Sequence, residues 1–175
     1  PLPRHLGSAK PGASQPWILT VGRLSRQKGH DVLLRGFAQA SDDLAGWRLV
    51  IIGTGPAENE LKALARSLGI GDRVDWIGGT ADPFSYYAQA RIFSLSSRFE
   101  GTPNALMEAM GAQLACIVSD TSPGPLELIV DGENGVVVPG EDWSGLADAL
   151  CRLAAAPELR RRLGSAARTT VGNFA

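Results

Sequence analysis

The chain is short of the residues that staple, anchor or polarise a protein. Its two cysteines, Cys116 and Cys151, are too few for a disulfide framework, and neither stands in a metal-ligand spacing. No apolar run approaches the ~18 residues that a membrane-spanning helix needs. The N-terminus carries no charged-then-apolar signal pattern. Neither charge sign dominates, with Lys plus Arg at 17 against Asp plus Glu at 18, so a nucleic acid is not an expected partner. A reducing cytoplasm is the simplest compartment. What is present is 175 residues with 44% hydrophobic side chains, enough for one domain with a full core.

Residues 1–16, PLPRHLGSAKPGASQP, hold four prolines and two glycines without periodicity and read as a linker or a truncated edge. Residues 17–175 read as one domain. Short Val- and Ile-rich runs recur as WILTV (17–21), RLVII (48–52), RVDWI (73–77), RIFSLS (91–96), ACIVS (115–119) and GVVV (135–138). Such runs fit buried parallel strands. Helical periodicity fills 31–40, 58–68, 146–156 and 158–168, the last two separated by Pro157. Strand, crossover helix, strand predicts an α/β, Rossmann-like parallel sheet with helices on both faces. Ligands in such folds sit at the C-terminal strand ends, against helix N-termini.

The first strand ends in VGRLSRQKGHD. Gly22 lets the chain turn, and Arg23 and Lys28 stand before a helix start, where a forked and a point cation suit a diphosphate. A solvated basic loop is the plainer reading of that loop alone. His30 reads as local capping or surface, since no second histidine stands near it. The second strand ends in GTGP, with Gly53 first and Asp75 about 20 residues on, where a dinucleotide site places an acid. Glu58 occupies the third glycine position, and a tight turn explains the pair equally well. No GxxxxGK[ST] is present, so a Walker-type ATPase is unsupported.

The fourth strand leads into SSRFEGTPNALMEAM, where Glu100 and Glu108 lie eight positions apart. Thr102 reads as an N-cap and Pro103 as the first helical residue, leaving the amides of Asn104 and Ala105 for a ligand. Helix amides and two carboxylates suit a ligand with a phosphate end and several hydroxyls. Beyond the fifth strand, TSPGP forms a rigid turn. Glu127 is read as the start of a short helix, either capping it or reaching the ligand.

Taken in order and spacing, VGRLSRQKGHD, IIGTGP, RVDWIGGT, SSRFEGTPNALMEAM and SDTSPGPLELIVDGENGVVVP resemble the C-terminal half of a GT4-family (group 1) retaining glycosyltransferase of the two-domain GT-B architecture. The resemblance covers residues 17–174. It implies that this half binds a nucleotide-sugar donor, with a UDP-sugar preferred, for transfer in bacterial surface-glycan assembly. Arg23 and Lys28 would hold the diphosphate, and Glu108 the ribose hydroxyls. Glu100 would face the donor sugar, with the backbone from Gly101 through Thr102, Pro103, Asn104, Ala105 and Leu106 around sugar and phosphate. The base would sit at Gly78 and Gly79. No metal or other cofactor is implied. An N-terminal domain would bring the acceptor, a glycan or lipid-linked sugar, and without it the domain is expected to be inactive.

Two departures stand out. Gln113 and Ala115 occupy positions where the family often has Gly and Pro, and Leu126 replaces a frequent basic residue. Three other readings stay open: a non-catalytic nucleotide-binding module, a nucleotide-sugar epimerase of GT-B fold, and an NAD-binding oxidoreductase domain resting on GTG and Asp75. The run Arg160–Arg162, with Arg152 and Arg168, reads most simply as a solvated helix face. Peripheral contact with anionic lipid at the inner membrane surface is its alternative.

Overall fold

A computed structural model describes residues 15–174, so most of the expected linker lies outside the described residues. The strands are β1 (Trp17–Val21), β2 (Arg48–Ile52), β3 (Val74–Gly78), β4 (Ile92–Leu95), β5 (Ala115–Ser119) and β6 (Val136–Val138). All neighbouring pairs are parallel, in the order β3-β2-β1-β4-β5-β6. The Rossmann-like sheet expected from the Val/Ile runs is therefore the observed one.

Alternation along each strand divides the core into two layers. Ile18, Leu49 and Ile51 face one layer with Leu33, Phe37 and Leu150, contributed by α1 (His30–Gln39) and α6 (Trp143–Ala155). Leu19, Val50 and Phe93 face the other, with Tyr87, Leu106 and Met110 from α3 (Phe84–Gln89) and α4 (Asn104–Gly111). Each fully buried aliphatic or Phe side chain contributes about 1.5–3 kcal/mol, which fixes strand facing and register together. The remaining helices are α2 (Glu58–Ser67), α5 (Pro123–Leu126) and α7 (Pro157–Gly172).

Chain order reverses between β1 and β4, so the loops after these two strands face each other across a crevice. This switch point brings residues 22–29 against residues 96–103. Gly29 shows how close the approach is: a Cβ there would stand 1.9 Å from the Ser96 carbonyl oxygen, with φ at +64°.

Several local expectations are corrected. Helix α3 has no counterpart in the periodicity, because six residues are too few to show it. Helix α6 starts at Trp143 rather than Leu146, because Asp142 accepts a hydrogen bond from the Gly145 N–H at 2.9 Å and caps the first turn. Thr102 is not an N-cap: Pro103 holds that position with ψ at 72°, and no side chain caps α4. Glu127 ends α5 instead of beginning it. Gly22 is not in the left-handed region, so the turn after β1 does not require glycine there.

Candidate functional site

The switch point gathers the residues that the sequence marked. Lys28 ends a short 3-10 turn (Arg26–Lys28) after β1, and its Nζ donates to both carboxylate oxygens of Glu100, at 3.0 and 2.8 Å. Its aliphatic stem runs over Gly22, where a Cβ would make ordinary contact with it, 3.5 Å from Lys28 Cδ. Glu100 is 6% exposed and also accepts from the Ser97 hydroxyl at 2.6 Å. Its own N–H donates to Ser122 Oγ at 2.9 Å. The carboxylate thus has two side-chain partners, Lys28 and Ser97, whose charge-assisted bonds offset its desolvation, while Ser122 holds the backbone beside it.

Arg23 stands exposed on the same loop, and its guanidinium has no partner among the described residues. The start of α4 is uncapped. The Asn104 N–H is taken by the Thr102 carbonyl at 3.0 Å, contrary to the expectation that it is free. The next two N–H groups, of Ala105 and Leu106, have no partner among the described residues. They carry the positive end of the helix into the crevice. An exposed cation and two N–H groups without partners among the described residues, on loops that meet at the switch point, suit an anionic group.

Glu108 lies further along α4, half-buried, and its Oε2 accepts from the Tyr87 hydroxyl at 2.9 Å. Burial, then the bond to Glu108, pushes the Tyr87 phenol well above its ordinary pKa, so the hydroxyl stays a donor. Gly78 ends β3 in a left-handed conformation, with φ at 75° and open space around its Cα. Glu127 is exposed at the end of α5. Gly101 presents its carbonyl to Gly124, where any Cβ would approach to 2.2 Å, so the TSPGP turn is packed tightly on the Glu100 loop.

The dinucleotide reading fails on geometry. Asp75 is 4% exposed in β3 and is held by Arg48, whose Nε and Nη2 donate at 2.8 and 3.0 Å. Gly53 and Gly55 serve close backbone packing: a Cβ on them would stand 1.9 Å from Gly22 O and 2.4 Å from Leu24 O. The pair braces the first loop.

Four residues of this cluster had no signal in the sequence: Tyr87, Ser97, Ser122 and Arg98. Arg98 is the brace. Its guanidinium donates to both oxygens of Asp31 at 2.8 Å and to the Arg26 carbonyl at 2.7 Å, and it also pairs with Glu141. It ties the 26–31 loop to the β4 loop, which sets where Lys28 meets Glu100. His30, expected at the surface, is 3% exposed beside this brace, and neither ring nitrogen has a hydrogen-bond partner among the described residues. Burial holds its pKa down to about 4, so the imidazole is neutral.

The family model for glycosyl transferases group 1 matches residues 7–170. One relative is the N-acetylgalactosamine-N,N'-diacetylbacillosaminyl-diphospho-undecaprenol 4-alpha-N-acetylgalactosaminyltransferase of Campylobacter jejuni. It is 32% identical over 158 residues, which are 90% of this chain and 42% of that protein. The lipopolysaccharide core biosynthesis glycosyltransferase LpsE of Rhizobium meliloti is 34% identical over 163 residues, 93% of this chain and 46% of that protein. Among solved structures, the pneumococcal O-GlcNAc transferase GtfA in complex with UDP and GlcNAc superposes with a TM-score of 0.82 at 25% identity, covering 93% of this chain and 34% of that one. The chain belongs to the group 1 glycosyltransferases, and its sheet is that of one half of a GT-B enzyme. It spans less than half the length of these relatives.

Proposed function

We propose that the chain is the donor-binding half of a retaining, GT4-like glycosyltransferase, which moves a sugar from a nucleotide-sugar, by preference a UDP-sugar, to an acceptor. The single observation that carries this reading is the crevice between the β1 and β4 loops. Arg23, without a partner among the described residues, Lys28 on Glu100 and the start of α4, without a side-chain cap, lie on the loops that meet there. Further support comes from the relatives, one named for a lipopolysaccharide core and one for a diphospho-undecaprenol acceptor, and from a neighbour solved with UDP.

In this reading Arg23, Lys28 and the Ala105 and Leu106 amides hold the diphosphate. As the bond from the sugar's anomeric carbon to the diphosphate oxygen breaks, its electron pair stays on that oxygen. Fixed cations and helix amides then stabilise the charge that develops. Glu108, oriented by Tyr87, takes the ribose hydroxyls, and Gly78 leaves room for the base. Glu100 already has Lys28 and Ser97 as partners, so it positions Lys28 first and offers its remaining lone pairs to the sugar. No divalent metal or other cofactor is assigned, since in this reading Arg23 and Lys28 neutralise the diphosphate.

The acceptor, a surface glycan or lipid-linked sugar, is assigned to a further domain N-terminal to residue 17, in keeping with the greater length of the relatives. The location assigned is the cytoplasm, at or near the inner membrane face. No helix among the described residues is long and apolar enough to cross a membrane.

Calorimetric titration of the chain with UDP, GDP and ADP tests the donor assignment. One nucleoside diphosphate binds, with the same affinity in EDTA as in magnesium, and Glu108→Ala weakens it by about tenfold. Equal binding of all three, or binding only with metal, would sink the assignment. For the whole enzyme, a product with the donor's anomeric configuration is expected, and an inverted product excludes the retaining course.

A further inference from the structure

The arginines of α7 play no part in the donor crevice; Arg161, Arg162 and Arg168 are exposed, as a solvated helix face has them, whereas Arg160 is half-buried. A cavity of about 340 Å³ lies at the opposite, N-terminal end of the strands, just before β4 and β5. Its walls include Tyr87, Arg91, Gln113, Leu114, Arg160 and Arg161. Among the described residues three arginines line it and no carboxylate does, in a chain whose formal net charge is −1. Its volume falls in the range that holds small ligands, about 300–1,000 Å³.

Each arginine is placed differently. Arg160 is fixed: its Nη1 donates to the Leu153 and Ala154 carbonyls at 2.7 and 2.9 Å, and its guanidinium lies 5.4 Å from the Trp47 ring centre. Its Nε and Nη2 have no partner among the described residues. Burial, and after it the nearby Arg91 charge, hold the Arg160 pKa below the usual guanidinium value. Arg91 is exposed, and its guanidinium has no partner among the described residues. Arg161 pairs with Glu158, but both are largely exposed, so solvent screens that pair. Two arginines that repel each other beside a concave wall are relieved by an anion between them.

Two further features add to this. The first turn of α7 opens at the cavity, with Pro157 at its start and no side chain capping it. Gln113, on the cavity wall, holds a left-handed backbone with φ at 63°, a conformation that favours glycine. Its exposed amide side chain supplies another hydrogen-bonding group to the space.

We propose that this cavity is a second, separate anion site, which binds a phosphoryl group between Arg91 and Arg160. Forked guanidinium donors match phosphate oxygens two at a time. The site does not depend on the donor assignment, since it shares no cation with Arg23 or Lys28. A free phosphorylated small molecule and a phospholipid headgroup offer the same chemistry.

An NMR titration of the isotope-labelled chain with inorganic pyrophosphate tests the site, because the donor crevice and the cavity report through different residues. Shifts at Arg91, Gln113, Arg160 and Arg161 are expected, and Arg91→Gln weakens them about tenfold. Arg91 is chosen because its side chain has no hydrogen-bond or ion-pair partner among the described residues, and Arg91→Lys retains part of the binding. A parallel arm floats the chain with phosphatidylglycerol and phosphatidylcholine vesicles. Pyrophosphate shifts lost in Arg91→Gln identify a free phosphoryl ligand. Retention on phosphatidylglycerol alone, lost in the same variant, identifies a headgroup. Neither response, shifts confined to residues 22–28 and 100–108, or responses unchanged by Arg91→Gln would overturn the site.

Discussion

Lys28 and Glu100 lie 72 positions apart in the chain and meet through two hydrogen bonds at the point where strand order reverses. The carboxylate is almost fully buried and the ammonium only partly, at 6% and 24% exposure. Removing the cation therefore strands a buried charge, whereas removing the anion leaves a cation that water still reaches. Lys28→Ala is expected to cost about 2 kcal/mol in urea unfolding, discounted from the fully buried case for the exposure of the lysine. Adding Glu100→Gln to it restores part of that loss. Equal stability of Lys28→Ala and wild type would show the pair to be incidental.

Tyr87 orients Glu108 through a single hydrogen bond. Tyr87→Phe keeps the packing against Phe93 and removes only the donor. The expected stability loss is about 1 kcal/mol, with UDP affinity falling roughly fivefold. A purely structural hydroxyl would move the unfolding midpoint and leave the UDP affinity unchanged.

His30 makes stability depend on acid. Its folded pKa is about 4 against 6.5 when unfolded, so its contribution is fully present above pH 6.5. As pH falls from 6.5 to about 4, the unfolded chain takes up a proton that the folded chain refuses, and stability declines. The loss attributable to this residue is about 3 kcal/mol and is complete below the folded value. His30→Leu is expected to flatten that part of the curve. A parallel pH dependence in the two proteins would mean that the imidazole is solvated.

Helix α4 ends with the Leu114 N–H on the Ala109 carbonyl and the Gln113 N–H on the Met110 carbonyl, at 3.1 and 3.0 Å. That pattern places a left-handed residue at Gln113, where glycine is the unstrained choice. Gln113→Gly is expected to raise stability by about 1 kcal/mol, read as a higher melting temperature. No gain would mean that the glutamine side chain contributes as much as the backbone loses.

How far the sequence could be read depended on the range of each interaction. The strands were legible because β-branched runs such as RLVII and ACIVS carry their own signal, and all six appear within a residue or two of the expected bounds. Helix α3 was not, because PFSYYAQ is too short for a helical period. Glu100 and Lys28 were recognisable one by one from their motifs, but their contact was not, since it follows from sheet order. Ser97, Ser122 and Arg98 gave no signal for the same reason: each acts on a loop distant in sequence. The misplaced cap at Thr102 has a local cause. Thr-Pro is a common helix opening, but here Pro103 itself takes the N-cap with a non-helical ψ.

The most direct test of the donor crevice is an NMR titration of the labelled chain with UDP, GDP, ADP and NAD, repeated on Glu108→Ala. The account predicts shifts from one nucleoside diphosphate at Arg23, Lys28 and residues 100–108, weakened in the variant. NAD binding around residues 53–58, or UDP shifts that ignore the loss of Glu108, would contradict it.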